Sequence, residues 1–358
     1  MSFELTRRAV VCASLSIAVS GVGARDLPRA GSGGHGLAFA GVNLAGGEFG
    51  KVPGTYVTDY TYPAPADIDY FAQLGFNLIR VPFRWERLQP TLGSPFADGD
   101  LALLSSVVDY ATAKGLRIVL DTHNYARRRV AEDGWSAEHL IGSELVPAAA
   151  FTDYSMRLAG AFKGAPSVIF GLMNEPWGLA AEDWLVIANQ AIGAMRRAGA
   201  KQLILVPGVA YTGAHSWIAA GNVVMGSVVD PGKNVAFEVH QYFDADSSGT
   251  SPKAVGAHIG SERIEQFQRW ARQSGVKAFL GEFAASEDEV SLDALNDICR
   301  TLQANADVWI GWAAWAGGSW WPADYIYNLE PSERGQMRPQ TRILASYARQ
   351  IGVRPRKT

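Results

Sequence analysis

Along this chain, short and nearly continuous apolar runs alternate with longer stretches in which apolar residues recur every three or four positions. The runs are Phe39–Asn43, Leu78–Pro82, Arg117–Asp121, Val168–Asn174, Leu203–Val206, Ala236–His240, Ala278–Glu282 and Val308–Trp312. Runs this short, without a polar face, predict strands covered on both sides. The amphipathic stretches between them predict helices, clearest at Asp67–Leu74, Leu101–Lys114, Ala148–Phe162, Ala181–Arg197, Glu262–Ser274 and Ser291–Ala304, and Arg338–Ile351 follows the eighth run. Strands separated by helices are joined by crossovers and run parallel, and eight of them close into a barrel. The expected fold is therefore α/β, a single (β/α)8 TIM barrel. A doubly wound open sheet is the alternative, but it gathers its site at one switch point, whereas polar residues here end nearly every run. Two connections are long, residues 44–63 and 123–146, and loops that follow barrel strands wall the active face.

The N-terminus breaks this pattern. Arg7 and Arg8 precede an uncharged, mostly small and apolar run from Ala9 to Ala24 that ends Val22-Gly23-Ala24. A positive start, an apolar middle and a small-x-small end describe a secretory signal peptide, and the run is too short and too rich in Ser, Ala and Gly for a membrane anchor. Cleavage is expected after Ala24, with Thr6-Arg7-Arg8 leaving the twin-arginine export route open. The mature protein is expected to be secreted or periplasmic, with no membrane attachment. Residues 25–36 are polar and Gly-rich and read as a flexible lead-in. Removing residues 1–24 takes Glu4, Arg7 and Arg8 with it and changes the net charge from −3 to −4, unlike the basic footprint of a nucleic-acid binder. Cys12 leaves with the signal and Cys299 remains alone, so the exported chain has no internal disulfide and relies on its core. No repeat, linker or appended module appears, so residues 37–358 are expected to form one catalytic domain. No pattern in the chain speaks to its oligomeric state.

Two acids stand where predicted strands run out. Asn174-Glu175-Pro176 ends the fourth run, and Glu282 ends the seventh 107 residues later. Carboxyl groups at two strand ends of one barrel can meet across its mouth. Hydrolysis of a glycosidic bond requires such a pair: a proton donor with a raised pKa and a nucleophile kept ionised, held about 5–5.5 Å apart in retaining enzymes. His240 and Tyr242, at the end of the sixth run, are two positions apart and leave the same strand face. Arg80, in the second run, is a fitting partner for an ionised Glu, because a guanidinium favours the charged carboxylate. His123, after the third run, is placed to donate to a sugar hydroxyl. Trp312, Trp315, Trp320 and Trp321 offer flat faces for pyranose rings. His123 and His240 can also be read as structural, but no His-x-x-x-His or Cys/His cluster points to a metal. His35, His139, His215 and His258 read as surface or packing residues, Glu48 as an exposed acid, and Arg127–Arg129 as a solvated charge run.

Together these segments resemble glycoside hydrolase family 5, the cellulase-like (β/α)8 enzymes. Leu172-Met173-Asn174-Glu175-Pro176 is similar to the segment with that family's acid/base glutamate, and Gly281-Glu282-Phe283 to the one with its nucleophile. Arg80 in Arg-Val-Pro-Phe, His123 in Asp-x-His-Asn-Tyr, and His240 with Tyr242 in His-x-Tyr resemble other members of the site, and Trp315 its platform tryptophan. Order and strand placement agree from about Phe39 to Tyr347. Gly41-Val42-Asn43 and Trp312–Tyr325 look like secreted endoglucanases acting on β-1,4-glucans. The resemblance implies retaining, endo-acting cleavage of a β-glucan polysaccharide by Glu175 and Glu282. It further implies substrate binding by Arg80, His123, Asn174, His240, Tyr242 and Trp315, with neither metal nor organic cofactor. Phe170-Gly171 departs from the Phe-Glu of many members, a change expected to affect packing only. β-Mannan, xyloglucan or mixed-linkage β-glucan are alternative substrates for the same pair. A non-catalytic sugar-binding barrel is the alternative from another class, and the presence of both carboxyl groups argues against it.

Overall fold

The computed structural model describes residues 36–351. The expected signal peptide, 1–24, and the lead-in up to residue 35 lie outside the described residues. The strands are β1 (Phe39–Leu44), β2 (Leu78–Phe83), β3 (Arg117–Thr122), β4 (Arg127–Arg129), β5 (Glu138–Leu140), β6 (Val168–Gly171), β7 (Ile204–Pro207), β8 (Val235–His240), β9 (Ala278–Glu282) and β10 (Trp309–Gly317). All but β4 and β5 form a closed barrel in the order β1-β10-β9-β8-β7-β6-β3-β2. Its pairs are parallel, and closure places Gly41 of β1 opposite Ala313 of β10. This closure excludes the open sheet. No helix among the described residues is long and apolar enough to cross a membrane.

Each of the eight predicted runs supplies one barrel strand. Helices Ala148–Phe162 and Ala181–Arg197 have the predicted bounds. Other helix ends move by a few residues because caps, not periodicity, place them. Asp67 accepts from the Ala64 backbone N–H at 2.8 Å at the start of the helix Pro65–Gln73, and Asp288 accepts from the Ser291 N–H at 3.1 Å at the start of Glu289–Ala304.

Two departures bear on the site. β6 stops at Gly171, short of the predicted Asn174, and the chain turns so that Glu175 has φ 44°. A left-handed backbone at a non-glycine residue costs about 1–3 kcal/mol and clusters at functional sites. Residues 123–146 are also more ordered than the expected long loop: β4 and β5 pair antiparallel, with Arg128 opposite His139. Arg127–Arg129 is therefore not a solvated charge run. Arg128 is buried, with its guanidinium 4.8 Å from the Trp85 ring centre and donating to the carbonyls of Gln89 and Pro90. Its charge satisfies backbone acceptors that the loop would otherwise leave unpaired.

Inside the barrel, Phe39, Leu78, Val119, Ile169, Leu205, Ala236, Phe279 and Ala313 form an apolar plug. Two residues further along five of these strands the same face carries Arg80, Asp121, Glu238, Gly281 and Trp315. The strand period of two thus leads from core directly into chemistry. Outside the sheet, a larger core with the helices buries Trp184, Trp217, Trp309 and Trp312 completely. Truncating one such indole to Ala costs about 3–5 kcal/mol.

Candidate active site

Arg80 is fully buried, and an unpaired guanidinium there would be very costly. Its Nη1 donates to Asn43 Oδ1 at 2.8 Å and to Glu282 Oε1 at 2.9 Å, and its Nη2 to Asn174 Oδ1 at 2.7 Å. Asp121 Oδ2 lies 3.2 Å from Nη2, and Glu238 Oε1 lies 3.0 Å from Nε. Burial works against its charge, but Asp121, Glu238 and Glu282 outweigh it and raise its pKa above the ordinary value. Asn43 also donates to the carbonyls of Gly281 at 2.9 Å and Ala313 at 3.2 Å, fastening β1 to β9 and β10 beneath the site.

Both oxygens of Glu282 are held. Arg80 donates to Oε1, and the Tyr242 hydroxyl donates to Oε2 at 2.8 Å. Burial and the charge of Glu282 keep Tyr242 protonated well above its usual range, so it acts as a donor. Glu175 faces Glu282 across the barrel mouth. One oxygen of each, together with a ring nitrogen of His240, lie within 4.8 Å of one another. Their settings differ: the Glu175 side chain is 16% exposed and that of Glu282 5%. Burial raises the Glu175 carboxyl above its usual pKa, the hydrogen bond from His240 opposes this, and the charge of Glu282 adds to it.

His240 Nδ1 is 2.7 Å from Glu175 Oε1 and 3.6 Å from Glu282 Oε2, while its Nε2 lies 3.7 Å from Glu238 Oε1. Burial alone would lower its pKa, but the charge of Glu282, the bond to Glu175 and the nearby Glu238 lift it to about 10. His240 is therefore an imidazolium at neutral pH. Burial likewise pushes Glu238 up, yet Arg80 and His240 leave it below its usual value. Two buried cations and a ring of carboxyl groups thus compensate one another in one pocket.

Asn174 must turn its oxygen toward Arg80, which can only donate, so its nitrogen faces His123 Nε2 at 3.3 Å. His123 Nε2 also accepts from the Tyr125 hydroxyl at 3.1 Å, while Nδ1 donates to Asp121 at 2.7 Å. Burial pushes this imidazole down to about 3, so it is neutral. The expectation that His123 donates to a sugar hydroxyl is corrected: its outward nitrogen is an acceptor.

Trp315, partly exposed at the end of β10, stacks with His123 at 5.8 Å and donates to the Tyr325 hydroxyl at 2.8 Å. Tyr325 in turn lies face to face with Trp321 at 3.8 Å. Glu48 is not the exposed acid expected. Its Oε2 accepts from Gly46 N–H at 2.8 Å, its Oε1 is sealed from solvent without a partner, and burial raises it to about 8, with Asp121 and Glu282 adding to the shift. Asn43, Asp121, Glu238 and Tyr125 were not assigned to the site from sequence. Asp121 and Glu238 were within reach of such a reading, because each precedes a site histidine by two positions and shares its strand face. His139 pairs with Asp133 and His258 with Asp297, in keeping with packing or surface roles.

The trio Glu175, His240 and Glu282 brings metal-ligating atoms together, but His240 Nδ1 and Glu175 Oε1 are bonded to each other and the two Glu282 oxygens accept from Arg80 and Tyr242. The arrangement instead offers a held carboxylate opposite a carboxyl of raised pKa.

The profile of the cellulase family, glycosyl hydrolase family 5, matches residues 33–318. The chain is 40% identical over 296 residues to an endoglucanase of Neurospora crassa, covering 81% of this chain and 72% of that protein. It is 35% identical over 302 residues to endo-β-1,4-glucanase B of Emericella nidulans, covering 83% and 88%. Among solved structures, XacCel5A in complex with cellopentaose matches with a TM-score of 0.83 at 45% identity, covering 87% of this chain and 99% of that one.

Proposed function

The chain belongs to the cellulase family, glycosyl hydrolase family 5, and from that premise we propose how its own residues carry the reaction. It is an endo-β-1,4-glucanase, cleaving internal glucan bonds with retention of anomeric configuration. In the first step, a Glu282 oxygen attacks the anomeric carbon while the bond to the departing oxygen breaks. Glu175 gives its proton to that oxygen, releasing a chain with a free hydroxyl and leaving a glycosyl ester on Glu282. In the second step, Glu175, now ionised, takes a proton from water as the water oxygen displaces Glu282. Arg80 and Tyr242 orient Glu282 and hold its charge. His240 positions Glu175. Asn174 directs its second amide hydrogen toward the sugar 2-hydroxyl, His123 takes the first at Nε2 and so fixes the amide at the binding site, and Trp315 carries a pyranose face.

The observation that carries this reading is the approach of the Glu175 and Glu282 oxygens to within 4.8 Å. That spacing suits direct attack and leaves no room for a water between carboxylate and sugar. The cellopentaose bound by XacCel5A supports a β-1,4-glucan as the polysaccharide partner. Residues 1–24 would direct export to the periplasm or beyond, and residues 37–358 would constitute the catalytic barrel. N-terminal sequencing of protein recovered from the producing cell checks both.

The main test incubates the mature protein with carboxymethylcellulose, barley β-glucan and galactomannan and sizes the products. A rapid fall in viscosity with release of cello-oligosaccharides is expected. A 2-deoxy-2-fluoro-cellobioside with a dinitrophenolate leaving group should add one fluorinated cellobiosyl mass to the peptide containing Glu282. Faster cleavage of galactomannan, or labelling of a different residue, rejects the assignment.

A further inference from the structure

Beneath the two catalytic carboxyl groups lies a third acid that the reaction does not use. Glu238 stands on β8 two residues before His240, is 1% exposed, and separates the apolar plug from the site. Its Oε1 lies 3.0 Å from Arg80 Nε and 3.7 Å from His240 Nε2. Arg80 continues through Nη1 to Glu282 Oε1 at 2.9 Å, and His240 through Nδ1 to Glu175 Oε1 at 2.7 Å. A single carboxylate oxygen therefore meets two cations, one holding the nucleophile and the other the proton donor.

These two contacts are ionic. Neither Glu238 oxygen, nor Arg80 Nε, nor His240 Nε2 has a hydrogen-bond partner, and all four atoms are sealed from solvent. Charge acts strongly over such distances where no water screens it. The other charged groups around Glu238 are Asp121 on β3, 3.2 Å from Arg80 Nη2, and one step further Glu282 at the end of β9 and Glu175 after β6. Burial opposes the charge of Glu238, but Arg80 and His240 prevail and keep it ionised.

Two cations facing two catalytic acids favour the ionised form of both. The acid/base group must nevertheless keep its proton until the departing oxygen takes it. A negative charge set against both cations offsets their pull on Glu175 and Glu282 alike. Glu238 supplies it from below, where it takes up none of the space that a sugar needs.

We propose that Glu238 is a positioning residue that links Arg80 to His240 and so places the pH window in which Glu175 is protonated while Glu282 is ionised. It touches neither substrate nor the reacting atoms, and acts through the two cations. The assignment rests on the catalytic reading above and deepens it.

The test is the pH profile of kcat/KM on cellopentaose for Glu238→Gln, which keeps the shape of the side chain and removes its charge. Both limbs should move to lower pH by about one unit, the acidic limb because Glu282 ionises more readily and the alkaline limb because Glu175 does. Glu238→Asp draws the carboxylate back from both cations without removing it, and should move both limbs the same way by less. Limb positions do not depend on the fraction of protein that is active, and Glu238→Asp decides the matter if Glu238→Gln does not fold. Limbs that stay in place while the rate falls at every pH would mark Glu238 as structural only and overturn the proposal, as would a shift of either limb to higher pH. Wild-type protein inert toward cellopentaose would overturn the catalytic reading instead, so the two failures are distinguishable.

Discussion

Glu238 fills the space that a side chain at Gly281 would occupy: a β-carbon at position 281 would come within 2.8 Å of Glu238 Cγ and Cδ. Glu238 is the partner of Arg80 Nε, and Arg80 holds Glu282. The residue before the nucleophile is thus a glycine because the support of the nucleophile passes beneath it. Gly281→Ala should shift this chain of contacts and lower kcat on cellopentaose by about 100-fold. The overpacking should also cost about 1–3 kcal/mol of stability. A variant that unfolds at the wild-type temperature and turns over normally would contradict the relationship.

The two carboxyl groups should fail in different ways. Glu282→Gln has no nucleophile and should be inactive toward every glycoside. Glu175→Gln should lose about 100- to 10,000-fold on cellopentaose but much less on dinitrophenyl cellobioside, whose leaving group needs no proton. Kinetics on both substrates check this, and equal losses for Glu175→Gln on the two would remove it as the proton donor.

His240 lowers the pKa of Glu175 through its hydrogen bond and charge, against the larger effect of burial. Activity requires Glu175 protonated, so kcat/KM falls as pH rises through its pKa. Replacing the imidazolium by a neutral group in His240→Asn raises that pKa further. The alkaline limb of the pH profile should therefore move to higher pH, whatever happens to the maximal rate. A shift in the opposite direction would show that His240 does not act on Glu175 in this way.

Four groups, Asp121 and His240 buried and Glu48 and Glu330 partly so, bind protons more tightly in the folded chain. Burial raises Glu48 to about 8, Asp121 to about 7 and Glu330 to about 7, while neighbouring carboxylates raise His240 to about 10 against the effect of burial. Such groups contribute stability that is present below their unfolded pKa values and lost as pH rises through the folded ones. His123, pushed down to about 3 by burial, acts in the opposite sense only below its ordinary value of 6.5. The unfolding temperature should therefore fall between pH 6.5 and about pH 9. Glu48→Gln, which cannot ionise, should shrink that fall. Calorimetry across this range decides, and identical slopes for wild type and variant would reject a buried neutral Glu48.

The barrel was legible because its signal is local. An apolar run flanked by amphipathic periodicity specifies a strand between helices wherever it lies, and all eight runs became barrel strands. Ala148–Phe162 and Ala181–Arg197 were predicted to the residue for the same reason. The segment Arg127–Arg129 was misread because three adjacent charges look solvated from their own neighbours. What buries Arg128 is Trp85 and the carbonyls of Gln89 and Pro90, about forty positions away.

The amino-acid sequence alone determined the strand-and-helix alternation, the two acids at strand ends and the family, since each is written in contiguous residues. Only the tertiary structure decided the distance between Glu175 and Glu282, the protonation of His123 and His240, the sealing of Glu48 and the place of Glu238 between two cations. Those properties depend on which groups meet across the barrel mouth, as Arg80 and Glu282 do from 202 positions apart. Desolvation and Coulomb interaction act through space, so chain folding must come before either can be read.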